Sequence, residues 1–296
     1  MSLGIVIVTY KCRELALECL ASIERELPAA LTSTVVIDNA SGDGTLDAFA
    51  CRFPRVARIA RAKNAGFAAA ANAGIRALPD CDVICLLNPD TLLLDGGLAS
   101  AARFLADHPN VGVLGARIEN PDGGIQASCR AFPSHRTALF NRHSLTTKLA
   151  PGNRWSRHYL MSDWSHDEPR DVDWVSGACM LIHRRTLQTV GLLDPEYFFS
   201  IEDVDYARRA SDAGLRVMYY PQASIQHRVG GSSRHAVYRA MTEHHRGMWR
   251  YYRQHMATNR LLDAVTAAGI AGRLGIHAAS YGLRTAKNRA RGRANP

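Results

Sequence analysis

The sequence predicts an α/β protein whose central sheet is mostly parallel, followed at the C-terminal end by amphipathic helices. Three observations predict it. Short β-branched runs alternate with stretches of helical periodicity through the first third of the chain; polar, glycine-containing turns separate them; and basic charge gathers after residue 233. Strands separated by helices must be joined by crossovers, and such units build parallel sheets with right-handed connections. Of the 296 residues, 47% are hydrophobic and 21% charged, which excludes collagen-like, coiled-coil and wholly disordered chains. A chain of this length buries a large core as one domain or two.

Leu3–Thr9 is short, apolar and β-branched, as a buried strand is. Within Cys12–Glu26, Leu15, Cys19, Leu20 and Ile23 recur at helical spacing. Thr34–Asp38 is a second strand, closed by the polar turn over 39–44. Helices over Leu46–Phe53 and Phe67–Leu78 flank a short strand at Val56–Ala60. Val83–Leu87 ends at Asn88-Pro89-Asp90, where Pro89 pushes Asn88 into extended backbone and stops the strand. A helix near Gly97–Ala106 leads into the strand Val111–Ala116. From Arg130 to Arg170 the periodicity dissolves among Pro133, Pro151 and Pro169 and polar stretches holding Trp155 and Trp164, an acceptor loop or simply a long surface loop. Order returns with a strand over Val172–His183, a helix, a second helix over 202–214, and strand-like Leu215–Tyr220 and Ala223–Gln226. Two amphipathic helices are expected from His235, then a tail from Arg284.

No stretch of 18 residues is free of charge, and no basic segment precedes the first apolar run, so the expectation is a cytosolic chain. Seven cysteines without a CxxC pair read as reduced core thiols. The net charge is +9, yet residues 234–296 alone carry +10 and the rest −1. Such asymmetry suggests an anionic partner surface. Two readings stay open: the basic helices lie on an anionic membrane, or they cap the domain and contribute a dimer contact. A nucleic-acid binder is a third, opposed by the neutral body and by the lack of a helix-turn-helix or RNA-binding signature.

Carboxylates recur where strands stop: Asp38, Asp90, and the cluster Glu202, Asp203 and Asp205. In an open α/β sheet the ligand crevice lies at the carboxyl ends of strands. Acidic groups meeting there repel unless protons or a cation neutralise them, and oxygen ligands suit Mg²⁺ or Mn²⁺. Each piece also has a plain structural reading. Asn88-Pro89-Asp90 is an ordinary turn. Ser200 can cap a helix whose first turn favours acids, and Asp205 has Arg208 and Arg209 at i+3 and i+4. Asp203 and Asp205 point about 200° apart on a helix, so only one of them can face a given cleft. Neither GxGxxG nor GxSxG occurs, which removes support for dinucleotide binding and for a serine hydrolase.

Seven motifs occur in order: Thr9-Tyr10, Asp38-Asn-Ala-Ser-x-Asp-Gly-Thr45, Asn64-Ala-Gly66, Asn88-Pro-Asp90, Trp174-Val-Ser-Gly-Ala178, Phe198-Phe-x-x-Glu-Asp-x-Asp205 and Pro221 to His227. Over residues 3–232 the chain resembles the inverting glycosyltransferase family 2, and within it the bacterial rhamnosyltransferase-like branch. The resemblance implies a GT-A fold: a catalytic domain over 1–232, with a nucleotide-binding half (1–118) and an acceptor-binding half (119–232), and a basic helical extension over 233–296. It implies transfer of a sugar, rhamnose being a candidate, from a nucleotide-diphosphate sugar to a glycan or polyprenyl-diphosphate saccharide in cell-surface polysaccharide synthesis. Such work suits a cytoplasmic enzyme peripheral to the inner face of the plasma membrane, as a monomer or a homo-oligomer.

By the same resemblance, Thr9, Tyr10, Asp38, Asn64, Gly66, Asn88, Asp90 and Trp174 would bind the donor. Asp90 and His227 would hold a divalent cation, Mg²⁺ or Mn²⁺. Asn88 replaces the first acid of the family's Asp-x-Asp motif and removes one negative charge. Asp203 would be the general base, with Glu202 binding or orienting the acceptor. The alternative enzyme, a nucleotidyltransferase on a similar sheet, calls for a glycine-rich basic signature that Thr9-Tyr10-Lys11-Cys12 lacks.

Overall fold

The structure is a computed structural model and describes residues 1–135, 153–161, 163–228, 230 and 236–290. Its strands are β1 (Leu3–Thr9), β2 (Thr34–Asp38), β3 (Ala57–Ala60), β4 (Val83–Leu87), β5 (Thr91–Leu93), β6 (Val111–Glu119), β7 (Cys129–Arg130), β8 (Arg170–Asp171), β9 (Trp174–Val175), β10 (Cys179–His183) and β11 (Arg216–His227). The helices are α1 (Arg13–Glu26), α2 (Thr45–Arg52), α3 (Phe67–Arg76), α4 (Gly97–Asp107), α5 (Arg154–Leu160), α6 (Arg184–Val190), α7 (Glu202–Asp212), α8 (Val237–His255) and α9 (Arg260–Ala290).

The main sheet has the order β3-β2-β1-β4-β10-β6-β11-β5, with β8 on the flank of β11. Its first four strands are parallel, as their helical crossovers require. Beyond β4 the sheet is mixed: β10 runs antiparallel to both β4 and β6, and β5 antiparallel to β11. Alternate side chains serve opposite faces. Ile5 and Ile7 join α1, α2 and α4 in one core, while Val6 and Val8 join α3 and α7 in the other. All seven cysteines are free thiols, and only Cys51 is exposed, which agrees with reduced core residues.

Two strands differ from the sequence expectation. The run Val172–His183 is two strands: β9 pairs with β7 in a separate ribbon, and β10 enters the main sheet. Between them the chain turns at Ser176-Gly177-Ala178. Conversely, Leu215–Tyr220 and Ala223–Gln226 belong to one strand, β11. Its register on β6 slips between Tyr220 and Ser224, around Pro221, which has no N–H to give the ladder. The tail from Arg284 is helical as far as Ala290. The proposed boundary near 232 and residues 136–152 and 162 of the irregular 130–170 stretch lie outside the described residues. The helices beyond that boundary pack on the body: His255 reaches Asp205 at 2.8 Å and Arg250 reaches Asp194 at 2.7 Å.

Candidate active site

Two adjoining cavities flank Asp203, and one of them opens at the C-terminal ends of the parallel strands. The smaller, about 270 Å³, is floored by Tyr10, Asn39, Asn64, Gly66 and Asn88 and roofed by Phe198, Phe199 and Arg239. A side-chain clip shapes its floor. Asn39 Nδ2 donates to Asn64 Oδ1 (3.0 Å) and to the Gly66 carbonyl (3.1 Å), while Gly66 N–H donates back to Asn64 Oδ1 (3.0 Å). Gly66 has φ +87°, and a Cβ there would stand 2.6 Å from the Phe198 backbone. Glycine is required because the donor-side loop and the 198–201 loop touch backbone to backbone, with Phe67 N–H donating to the Phe198 carbonyl (2.9 Å).

That second loop carries the acids. Ser200 and Ile201 both have positive φ, +67° and +74°, a conformation strongly disfavoured for a β-branched side chain. Such strain persists only where surroundings enforce it, and it gathers at functional sites. Here α8 enforces it: a Cβ on Gly247 would meet the Ser200 carbonyl at 3.2 Å, and His244 Nδ1 lies 3.1 Å from Ser200 Oγ. Ser200 therefore does not cap α7 as the sequence suggested; Ile201 occupies the cap position, and the hydroxyl faces α8 instead.

Glu202 is buried and Asp203 half-buried, and desolvation raises the affinity of each for its proton. Their environments separate them. Asp203 Oδ2 accepts from Gly177 N–H and Oδ1 from Val204 N–H, both at 2.9 Å, and the Arg130 charge also favours its ionised form. Burial and the adjacent Asp203 push Glu202 up to about 8. The two amides and Arg130 thus favour the negative charge on Asp203 over Glu202. Asp205 turns the other way, pairing with Arg209 (2.9 Å) and His255 (2.8 Å), while Arg208 pairs with Asp212.

Asp90 lies beneath the small cavity, 3% exposed, with His227 Nε2 at 3.3 Å from its Oδ1. The tautomer follows from Gln126. Its Nε2 donates to Asn120 Oδ1 (2.9 Å) and the His227 carbonyl (2.8 Å), so its Oε1 faces His227 Nδ1 at 3.2 Å and accepts from it. His227 Nε2 then meets the Asp90 carboxylate either as a protonated nitrogen or with its lone pair free for a cation. A carboxylate and an oriented imidazole fit a divalent ion that completes its shell with substrate phosphate and water. No set of three protein ligands occurs among the described residues.

The larger cavity, about 450 Å³, lies on the other side of Asp203. Arg130, Tyr159, Trp174, Tyr251 and Arg273 line it, together with Ser176, Ser200 and Asp203, which it shares with the smaller one.

Residues 2–260 match glycosyltransferase-like family 2. The chain belongs to glycosyltransferase family 2. The N-acetylglucosaminyl-diphospho-decaprenol L-rhamnosyltransferase of Mycobacterium tuberculosis is 29% identical over 269 residues, covering 84% of this transferase and 86% of that protein. Rhamnosyltransferase WbbL of Escherichia coli is 31% identical over 97 residues, 32% of this chain and 37% of that one. Among solved structures, GalNAc-T7 with UDP, GalNAc and Mn²⁺ superimposes with a TM-score of 0.61 at 15% identity, over 86% of this chain and 49% of that one. A mannosyltransferase of Pyrobaculum calidifontis, PcManGT, with GDP-Man and Mn²⁺ gives a TM-score of 0.55 at 17% identity, over 98% and 80%. At these identities the likeness fixes the fold, which is GT-A.

The transferase sorts its sequence-predicted residues into three groups. Tyr10, Asn64, Gly66, Asn88, Glu202 and Asp203 line the small cavity. Asp90 and His227 stand together below it. Thr9 and Asp38 do not reach it: Thr9 is wholly buried with Oγ1 3.2 Å from Cys12 Sγ, and Asp38 is held by the Ser41 hydroxyl and N–H. Trp174 is placed in the larger cavity, because its indole N–H is anchored to the Ala131 carbonyl (3.0 Å) and its ring lies under Arg130. Trp164 is a packing residue, stacked on His166 and set edge-on to Tyr219. Sequence reasoning missed Asn39, Arg130, Arg239 and Arg273. Asn39 stood inside a quoted motif; the arginines carried no local signal.

Proposed function

We propose that this transferase moves rhamnose, with inversion, from a nucleotide-diphosphate donor to a saccharide carried on a polyprenyl diphosphate. One observation carries the reading: two cavities meet at a single carboxylate, Asp203, held in place by two backbone amides. The rhamnosyltransferase relatives support the choice of sugar, and the decaprenol-linked substrate named for the mycobacterial one supports the acceptor class.

The donor occupies the smaller cavity and the acceptor saccharide the larger. The acceptor hydroxyl passes its proton to Asp203 as its oxygen attacks the anomeric carbon from the face opposite the diphosphate. One C–O bond forms while the bond to the diphosphate oxygen breaks, so the anomeric centre inverts. The Gly177 and Val204 amides hold the carboxylate in line for that transfer. Glu202, keeping its proton, adds no second charge beside the base. Asp90 and His227 would hold a divalent cation, which offsets negative charge on the departing diphosphate.

The enzyme would work against a membrane. Among the described residues no helix is long and apolar enough to cross one. Yet Leu261, Val265, Ile276 and Leu283 of α9 are 60–77% exposed and fall within about 60° of one face, over roughly 33 Å. Arg284, Lys287 and Arg289 continue that helix. An apolar stripe ending in basic residues suits an anionic bilayer interface.

Thermal unfolding with UDP, dTDP, GDP and CDP, each with and without Mn²⁺, tests the donor side. A metal-dependent shift with one nucleotide is expected, about 2.7 kcal/mol at a hundred times its dissociation constant. No shift with any of the four would refute the reading.

A further inference from the structure

Two arginines, Arg130 and Arg273, line the larger cavity. Arg130 projects from β7 and lies between two rings, Tyr159 (5.9 Å) and Trp174 (5.6 Å). Its Nε is buried without a hydrogen-bond partner among the described residues. Arg273 comes from the opposite wall, on α9, half-buried and held below its usual proton affinity by burial. Neither forms an ion pair with a carboxylate among the described residues, although other arginines of this region do, Arg250 with Asp194 and Arg253 with Asp263. Both address the same side chain: Arg130 stacks on Tyr159, and Arg273 acts electrostatically on it. Two guanidiniums from separate elements therefore line the same cavity as the base.

Leaving a buried cation unpaired is costly, and planar guanidiniums match phosphate oxygens in bidentate fashion. Apolar, adaptable side chains also line it: Met248 and Met256 from the α8 side, and Ile270 one turn before Arg273. Thr266, Ile270 and Arg273 share one face of α9 at i, i+4 and i+7, whereas the bare Leu261–Leu283 stripe lies on another. The same helix thus faces a cationic cavity on one side and solvent with an apolar stripe on the other.

We infer that Arg130 and Arg273 form the seat for the diphosphate of an isoprenoid-linked acceptor, placing its first sugar toward Asp203 and its hydrocarbon chain along α9. The inference rests on the acceptor class proposed above and assigns residues to it. Phosphate recognition selects diphosphate-linked saccharides over neutral glycosides, and it sets the distance between lipid anchor and reacting hydroxyl.

The test is calorimetric binding of citronellyl diphosphate and of citronellol to the full chain, in EDTA. Wild-type protein should bind the diphosphate at least tenfold more tightly than the alcohol. Arg273→Gln and, from the other wall, Arg130→Gln should each erase most of that margin, and Arg273→Lys should retain part of it. Both glutamine variants should keep the nucleotide and Mn²⁺ thermal shift, which shows them folded with an intact donor side. Unchanged diphosphate binding in both glutamine variants would overturn the assignment, since the diphosphate would then sit elsewhere, as would equal binding of diphosphate and alcohol by wild type. A retained margin without any nucleotide shift would instead sink the transferase reading and leave the diphosphate seat standing.

Discussion

The two cavities share one carboxylate but meet negative charge by opposite means. The smaller cavity, assigned to the donor, is walled by amides, glycines and aromatic rings; among the described residues its one lining arginine, Arg239, is stacked 4.1 Å from the Phe198 ring, and its other charged groups are acids. Asp90 and His227, paired at 3.3 Å, are the groups proposed to hold a cation there. The acceptor side carries its own cations, Arg130 and Arg273. The difference teaches that a site can delegate charge neutralisation to a metal where a leaving group must depart with it, and keep fixed guanidiniums where a substrate is only held.

Abolishing the shared base strikes both sides at once. Asp203→Asn should lower turnover by about 10²–10⁴-fold while the nucleotide shift persists, as single-turnover assays beside thermal melts will show. Metal removal separates the sides. EDTA should erase nucleotide stabilisation, worth about 2.7 kcal/mol at a hundredfold excess over the dissociation constant, yet leave the citronellyl diphosphate margin intact. Loss of both would mean that the acceptor side depends on the cation as well.

The hinge between the cavities can be stressed next. Gly66→Ala puts a methyl 2.6 Å from the Phe198 backbone and should cost about 1–3 kcal/mol in urea unfolding, with weaker nucleotide binding. Polar replacement of Leu261, Val265, Ile276 and Leu283 together should reduce co-sedimentation with anionic vesicles about tenfold or more without changing nucleotide binding. Full retention on vesicles would detach the stripe from any membrane role.

The subtlest outcome is a change of slope. A glutamate ordinarily titrates at 4.5, but the folded chain holds Glu202 up to about 8. Between those values the unfolded chain releases a proton that the folded chain retains, so this residue makes stability fall as pH rises. Glu202→Gln should flatten that fall between pH 4.5 and 8, as denaturant melts across the range will reveal. An unchanged slope would mean that Glu202 ionises normally in the folded state.

The donor side was far more legible in the sequence than the acceptor side, for a physical reason. Strands β1, β2 and β4 are short apolar runs, and Asn64-Ala-Gly66 and Asn88-Pro-Asp90 are local turns whose conformations follow from the residues within them. Periodicity does not give strand direction, so β10, inserted antiparallel between β4 and β6, could not be foreseen, nor could the break that aims Gly177 N–H at Asp203. Motif order pointed to Asp203 and His227, but it could not tell that Thr9 and Asp38 are tied up inside the loops they shape. Arg130 and Arg273 are 143 positions apart, in a polar stretch and an apolar helix, and only tertiary packing gives them a common address.

The strained pair Ser200-Ile201 has a consequence for the birth of the enzyme. The loop is pinned on one side by Gly66, an early residue, and on the other by α8, whose Gly247 and His244 close over it and whose His255 reaches Asp205. During synthesis the donor-side floor can fold long before α8 leaves the ribosome, but the loop has nothing to hold its unfavourable backbone until then. The nascent chain can therefore capture a nucleotide before it can align a base.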